Sequence, residues 1–174
     1  IANVQVSYVR YLGKAIWPAN FSVFYPQPRE WPAETIAGCG LLLLVISGLA
    51  ILTVRTRPYL FVGWLWYLGT LVPVIGLVQV GMQSIADRYT YVPLIGFFIF
   101  IFWGGWDLVS HWRQLRVASC VVSLIALAAC LIITRCQLQH WNNSQTLFEH
   151  CVRVTPDNFL AHNNLGFALA TQGK

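Results

Sequence analysis

Apolar residues along the chain gather into four long runs, 36–54, 59–80, 92–109 and 117–134, parted by short polar segments. Crossing a hydrocarbon core of ~30 Å takes about 20 apolar residues as helix, so each run predicts a membrane span. Ahead of them, Tyr8, Tyr11, Leu12, Ala15 and Ile16 recur at helical spacing, with Ser7, Arg10 and Lys14 on the opposite face. That stretch is too short and too basic to span. It predicts a helix lying in the interface, its rings in lipid and its cations at the headgroups, stopped by Pro18. Residues 18–32 carry four prolines, with Phe21, Phe24, Tyr25 and Trp31 among them, and read as an ordered extended loop outside the cytoplasm. Pro32 and Glu34 suit the first turn of the next helix.

Behind the last run the pattern becomes polar and amphipathic. His162-Asn163-Asn164-Leu165-Gly166 with Leu169 matches the Leu-Gly core of a tetratricopeptide repeat, and Ser144, Phe148 and Pro156 fall where the preceding unit places its small residue, aromatic and proline. Trp141 opens the segment and Cys151 takes another small-residue slot. In this reading Phe148, Leu165 and Leu169 fill the space between helices while Gly166 permits close backbone approach. Such units need about three copies to be stable. With no Met at its start and an end at Gly173-Lys174, the chain is expected to be an internal part of a longer protein. The fold class is thus all-α: residues 1–35 an interfacial helix and loop, 36–139 a four-span bundle, 140–174 the start of an α-solenoid. The first repeat lacks its own opening helix, so the fourth span is expected to run on through Gln139 as partner for 141–155.

Composition agrees, with 57% hydrophobic and 10% charged residues and a mean hydropathy of +0.60. Spans without a charge in their middle argue against an ion or proton pathway, and so against a transporter. Arg55 and Arg57 lie between the first two runs, and His111, Arg113 and Arg116 between the last two, which sets both loops in the cytoplasm. The N-terminal segment, the loop 81–91 and the repeats then face the other side, either a periplasm or an endoplasmic reticulum lumen. The net charge of +5 follows from these loops and calls for no nucleic acid. Trp64, Trp66, Trp103, Trp106, Trp112, Tyr89 and Tyr91 are expected at the interfaces. Cys39, Cys120 and Cys130 read as apolar fillers, and Cys136 with Cys151 leaves a disulfide open. No spacing suggests a metal, no cofactor is indicated, and a divalent ion in a full-length protein stays open. Asn20-Phe21-Ser22 and Asn142-Asn143-Ser144 fit the N-glycosylation pattern.

The chemistry-bearing loop is Ala86-Asp87-Arg88-Tyr89-Thr90-Tyr91-Val92-Pro93. An arginine held by a neighbouring carboxylate at the bilayer edge can grip a phosphate through paired, charge-assisted hydrogen bonds. Equally, Asp87 could cap the third span while Arg88 snorkels to headgroups.

A basic surface helix, the stretch Ile16-Trp17-Pro18-Ala19-Asn20-Phe21-Ser22-Val23-Phe24-Tyr25-Pro26, the Asp87–Pro93 loop and a tetratricopeptide tail together resemble one group. It is the transmembrane O-mannosyltransferases with C-terminal tetratricopeptide repeats, of the GT-C-like kind, and their bacterial relatives. The resemblance implies transfer of a sugar from a polyprenyl-phosphate carrier to a protein hydroxyl, with Arg88 on the donor phosphate and Asp87 orienting it. It also implies membrane lipid and a protein partner on the repeats. The family's catalytic carboxylate lies in an early outer loop, upstream of Ile1, so no catalytic residue is named. A non-enzymatic membrane scaffold whose repeats assemble other proteins is the alternative.

Overall fold

The computed structural model describes residues 2–26, 28, 30–75 and 84–172. It is all-helical apart from loops and turns. Among the described residues, seven α-helices run in the order α1 (Ala2–Ile16), α2 (Ala33–Leu52), α3 (Pro58–Leu71), α4 (Tyr91–Val109), α5 (Arg113–Gln139), α6 (Ser144–Val154) and α7 (Phe159–Ala170). A one-turn 3₁₀ helix, Asp87–Thr90, leads into α4.

Three of these are long and apolar enough to cross a membrane: Ala33–Leu52, the stretch Asp87–Val109, and Arg113–Gln139. Their apolar surface is largely left outward. No residue of α5 is buried against the rest of the chain. The expected second span differs from the others. Its helix, α3, is 14 residues long, about 21 Å at 1.5 Å per residue, and residues 76–80 of the predicted run lie outside the described residues. Pro73 is the reason α3 stops, because it lacks an N–H and its ring opposes the carbonyl four residues back. The chain tightens there instead, Val72 N donating to Gly69 O at 3.3 Å and Val74 N to Leu71 O at 3.0 Å.

Among the described residues, α3 and α4 form the most closely packed helix pair. They cross backbone to backbone at Gly63 and Gly96, where a Cβ built on either residue would lie 2.5–2.6 Å from the other's carbonyl oxygen. Around that crossing Trp64 stacks on Tyr67 at 5.5 Å, and Phe97 and Phe100 close the aromatic cluster. Trp64, expected at the interface, is only 2% exposed, its Nε1–H donating to Ser47 Oγ at 2.9 Å.

The first helix also departs from expectation. Tyr8, Tyr11 and Leu12 are buried in the protein core against α3 rather than turned to lipid. Their polar tips explain this: Tyr8 OH donates to Leu68 O at 2.8 Å, Tyr67 OH donates to Tyr8 O at 2.7 Å, and Tyr11 OH accepts from Ala86 N at 3.0 Å. A tyrosine hydroxyl with a partner inside the protein has no need of the headgroup layer.

α5 continues unbroken to Gln139, as expected. It then turns sharply, and α6 packs chiefly on α7 rather than on α5. The link back to α5 is local: His140 stacks on His150 at 3.9 Å, and Thr146 Oγ1 donates to His140 O at 3.3 Å. Both following helices are capped by asparagine. Asn143 accepts from Thr146 N at 2.8 Å and Asn158 from Ala161 N at 3.0 Å, caps worth about 1 kcal/mol each. Of the expected packing residues, Cys151 is buried, Phe148, Leu165 and Leu169 are half-buried, and Trp141, Ser144 and Pro156 are exposed. Gly166 meets open space, so its expected close contact is not made here. Ala161, Ala168 and Asn158 complete the buried interface.

Candidate functional site

Asp87 and Arg88 sit on the 3₁₀ turn that leads into α4, and two distant stretches, α1 and the proline-rich loop, hold that turn in place. Thr90 Oγ1 closes it by donating to Asp87 O at 2.6 Å. Tyr11 of α1 brackets the peptide just before it, and Ser84 N donates to Tyr25 O at 2.9 Å. The approach to the turn is therefore clamped between α1 and the proline-rich loop.

The Tyr25 hydroxyl is the centre of the arrangement. It donates to Asp87 Oδ2 at 2.6 Å and accepts from Lys14 Nζ at 2.8 Å and from Ser22 N at 2.7 Å. Lys14 also donates to Asn20 O at 3.1 Å and lies 3.8 Å from Asp87 Oδ1. Asn20 reaches this geometry at φ 56°, a left-handed conformation that asparagine tolerates better than most residues. Burial pushes the Lys14 ammonium below its ordinary value, and the Asp87 charge opposes that shift. Tyr25 is driven the other way, by burial first and then by its bond to Asp87, so it stays a proton donor. Arg10 belongs to the same cluster, over the rings of Tyr25 and Trp31 at 5.8 and 5.7 Å. The cations expected at headgroups thus turn inward.

Asp87 does not hold Arg88, contrary to expectation. Adjacent residues on a helical turn do not face each other, and the carboxylate is taken by Tyr25 and Lys14. Among the described residues the ion pairs are Lys14–Asp87 and Arg57–Asp107, and neither involves Arg88. The Arg88 guanidinium lies exposed over the Tyr89 ring, 5.3 Å from its centroid, and lines a cavity of about 410 Å³. Phe21, Ser22, Asp87, Gln137 and Trp141 contribute other walls. Asp87, tied to Tyr25 and Lys14, stands on the same turn from which Arg88 projects.

Helices α6 and α7 dock on the same loop. His150 Nε2 lies 3.1 Å from Phe21 O, Asn158 Nδ2–H donates to Phe24 O at 2.8 Å, and Phe24 meets Phe159 edge-on at 5.9 Å. Lys14, Tyr25 and Asn158 escaped sequence reasoning. Lys14 carried a visible signal as part of a basic helical face, but its partner lies 73 positions away in the chain. Cys136 and Cys151 are free thiols, the first exposed and the second buried.

These features define a helical membrane protein with an arginine-lined cavity at the edge of its spans. The chain is similar to known proteins over part of its length. It is 30% identical over 91 residues to human "Protein O-mannosyl-transferase TMTC4", a match covering 51% of this chain and 12% of that protein. The mouse protein of that name is 29% identical over 91 residues, 51% of this chain and 12% of its own length. Mouse "Protein O-mannosyl-transferase TMTC3" is 30% identical over 88 residues, 51% of this chain and 10% of that protein. The chain thus spans about a tenth of the length of the curated relatives it matches. No family model matches the chain, and no solved structure matches it.

Proposed function

We propose that this chain is the C-terminal membrane portion and first repeats of a protein glycosyltransferase that draws its sugar from a polyprenyl-phosphate donor. The observation that carries the reading is Arg88, whose guanidinium lines the 410 Å³ cavity without a carboxylate partner among the described residues. A planar cation of this kind, at a membrane edge and close to a hydrophobic helix, suits paired hydrogen bonds to a phosphate. The names of the partial relatives supply the reaction class.

In this reading the run 59–80 completes a fourth crossing, and α6 with α7 forms the junction of two tetratricopeptide units that receive acceptor or partner proteins. The repeats and the Arg88 cavity both face away from the cytoplasm. Asp87 serves as a positioning residue through Tyr25 and Lys14, and the groups that break and form the glycosidic bond come from elsewhere in the full-length protein. The test is Arg88→Ala in that protein, assayed for mannosyl transfer from a polyprenyl-phosphate-mannose donor to acceptor protein. Turnover should fall at least tenfold with Arg88→Lys partly restoring it; unchanged turnover removes Arg88 from donor binding.

A further inference from the structure

The Arg88 cavity lies at the start of α4, and the opposite end of that helix is strongly basic. α4 has 19 residues, about 28 Å at 1.5 Å per residue, close to the ~30 Å of a hydrocarbon core. At its far end Arg57, just before α3, lies 3.4 Å from Asp107 in the last turn of α4, and Tyr59 OH donates to the same carboxylate oxygen. These contacts bring the loop before α3 and the loop after α4 to one end of the helix pair, and with them Arg55, Arg113 and Arg116. Asp107 is thus committed. Among the described residues no carboxylate pairs with the other three arginines, all of them exposed. Arg113 and Arg116 lie three positions apart, on one face of the first turn of α5. Neither α3 nor α5 carries an acidic residue in its first turn, so no carboxylate offsets the positive ends of the two helices. Trp103, Trp106 and Trp112 are each more than half exposed around the same end, and indole rings settle in the headgroup layer. That sets the arginines at the depth of lipid phosphates.

We infer that this end of the bundle binds the headgroups of anionic phospholipids, with Arg55, Arg113 and Arg116 as the contacting cations. Charge and depth together argue for that occupant. A soluble acidic protein would match the charge, but the exposed apolar belt of Trp103, Trp106 and Leu108 beside it calls for a bilayer, which itself carries phosphates to the guanidiniums. The planar fork of arginine pairs with phosphate oxygens through two charge-assisted hydrogen bonds. Phosphatidylcholine offers the same phosphate with a cation attached, so it gains nothing from the excess positive charge. Phosphatidylserine carries a net negative charge, and basic clusters next to membrane spans attract it. The site is separate from Arg88 and does not depend on its role.

The test measures the association of spin-labelled phosphatidylserine and spin-labelled phosphatidylcholine with the full-length protein in phosphatidylcholine bilayers. The native protein should favour phosphatidylserine by about fivefold, the effect of one basic side chain acting at a membrane surface. That preference should shrink towards parity at about 1 M salt, where the screening length is about 3 Å. Arg55→Gln, Arg113→Gln and Arg116→Gln together should abolish it, and Arg135→Gln, near the other end of α5, should leave it intact. Each single glutamine variant at the cluster should lower it, which carries the test if the triple variant does not fold. Both leaflets hold the same lipids, so the outcome is independent of the direction in which a variant inserts. Equal association of the two lipids with the native protein overturns the inference, leaving the arginines to a soluble acidic partner or to orientation alone. Survival of the preference in the triple variant, or an equal loss in Arg135→Gln, overturns it too, since either shows that the attraction is not lodged in this cluster.

Discussion

Replacing Gly96 with alanine places a methyl group where α3 already lies. The added Cβ would sit 2.5 Å from Gly63 O, 2.7 Å from Trp66 Cδ1 and 2.8 Å from Trp66 Cβ. Carbon atoms pack best at about 3.5–4.0 Å, so relief requires the helices to separate by roughly 1 Å, which forfeits a quarter to a half of each dispersion contact across the crossing. The nearest atom is a backbone oxygen and cannot rotate away. Overpacking of this kind costs about 1–3 kcal/mol, against a gain of about 1 kcal/mol in helix propensity, and the loosened Trp64–Phe100 and Tyr67–Phe97 contacts add to the loss. A net destabilisation of about 2 kcal/mol follows, close to thirtyfold in the folding equilibrium. The assay is reversible unfolding in detergent micelles, followed by helical circular dichroism, with Gly69→Ala in α3 as control. Nothing lies within 4 Å of a Cβ at Gly69, so that variant should be neutral or slightly stabilised. Equal stability of the two variants would refute the backbone-on-backbone crossing.

Two further outcomes concern the docking of α6 and α7 on the proline-rich loop. Asn158→Ala removes both the α7 cap and the bond to Phe24 O and should cost about 1–3 kcal/mol; Asn158→Asp, which keeps the cap alone, should fall between, as read by protease cleavage at residues 155–158. The His150 imidazole is held below its ordinary value, first by burial and then by His140. The unfolded segment therefore takes up a proton first as pH falls, and docking stability present above about 6.5 is lost as pH drops through the folded value. Melting curves at neutral and mildly acidic pH should show this loss, and His150→Gln should flatten it; a pH-independent transition in the native chain would contradict it.

Local pattern made much of this architecture legible. Long apolar runs without a charge in their middle dictate helices at α2, α4 and α5, since a backbone in lipid must satisfy its own hydrogen bonds, whereas the run 59–80 read through Pro73, where α3 has already ended. The spacing around Leu165 and Phe148 located α6 and α7, whose capping residues Asn143 and Asn158 are local signals as well. Arg88 was legible as a cation at a span's edge, because that placement depends on position along the chain alone.

What each polar group faces was decided only in three dimensions. The amphipathic pattern of α1 is the same whether its tyrosines meet lipid or protein, and only the arrival of Leu68, Tyr67 and Ala86 settles them inside. Asp87 could not be assigned to Lys14 and Tyr25 from the sequence, since those residues lie 73 and 62 positions away. The cavity beside Arg88 likewise exists because the loop at Phe21, the turn at Asp87 and the end of α5 at Gln137 converge. Periodicity fixes which side of a helix is apolar. Which neighbour covers that side depends on contacts between residues far apart in the chain, and no local pattern encodes them.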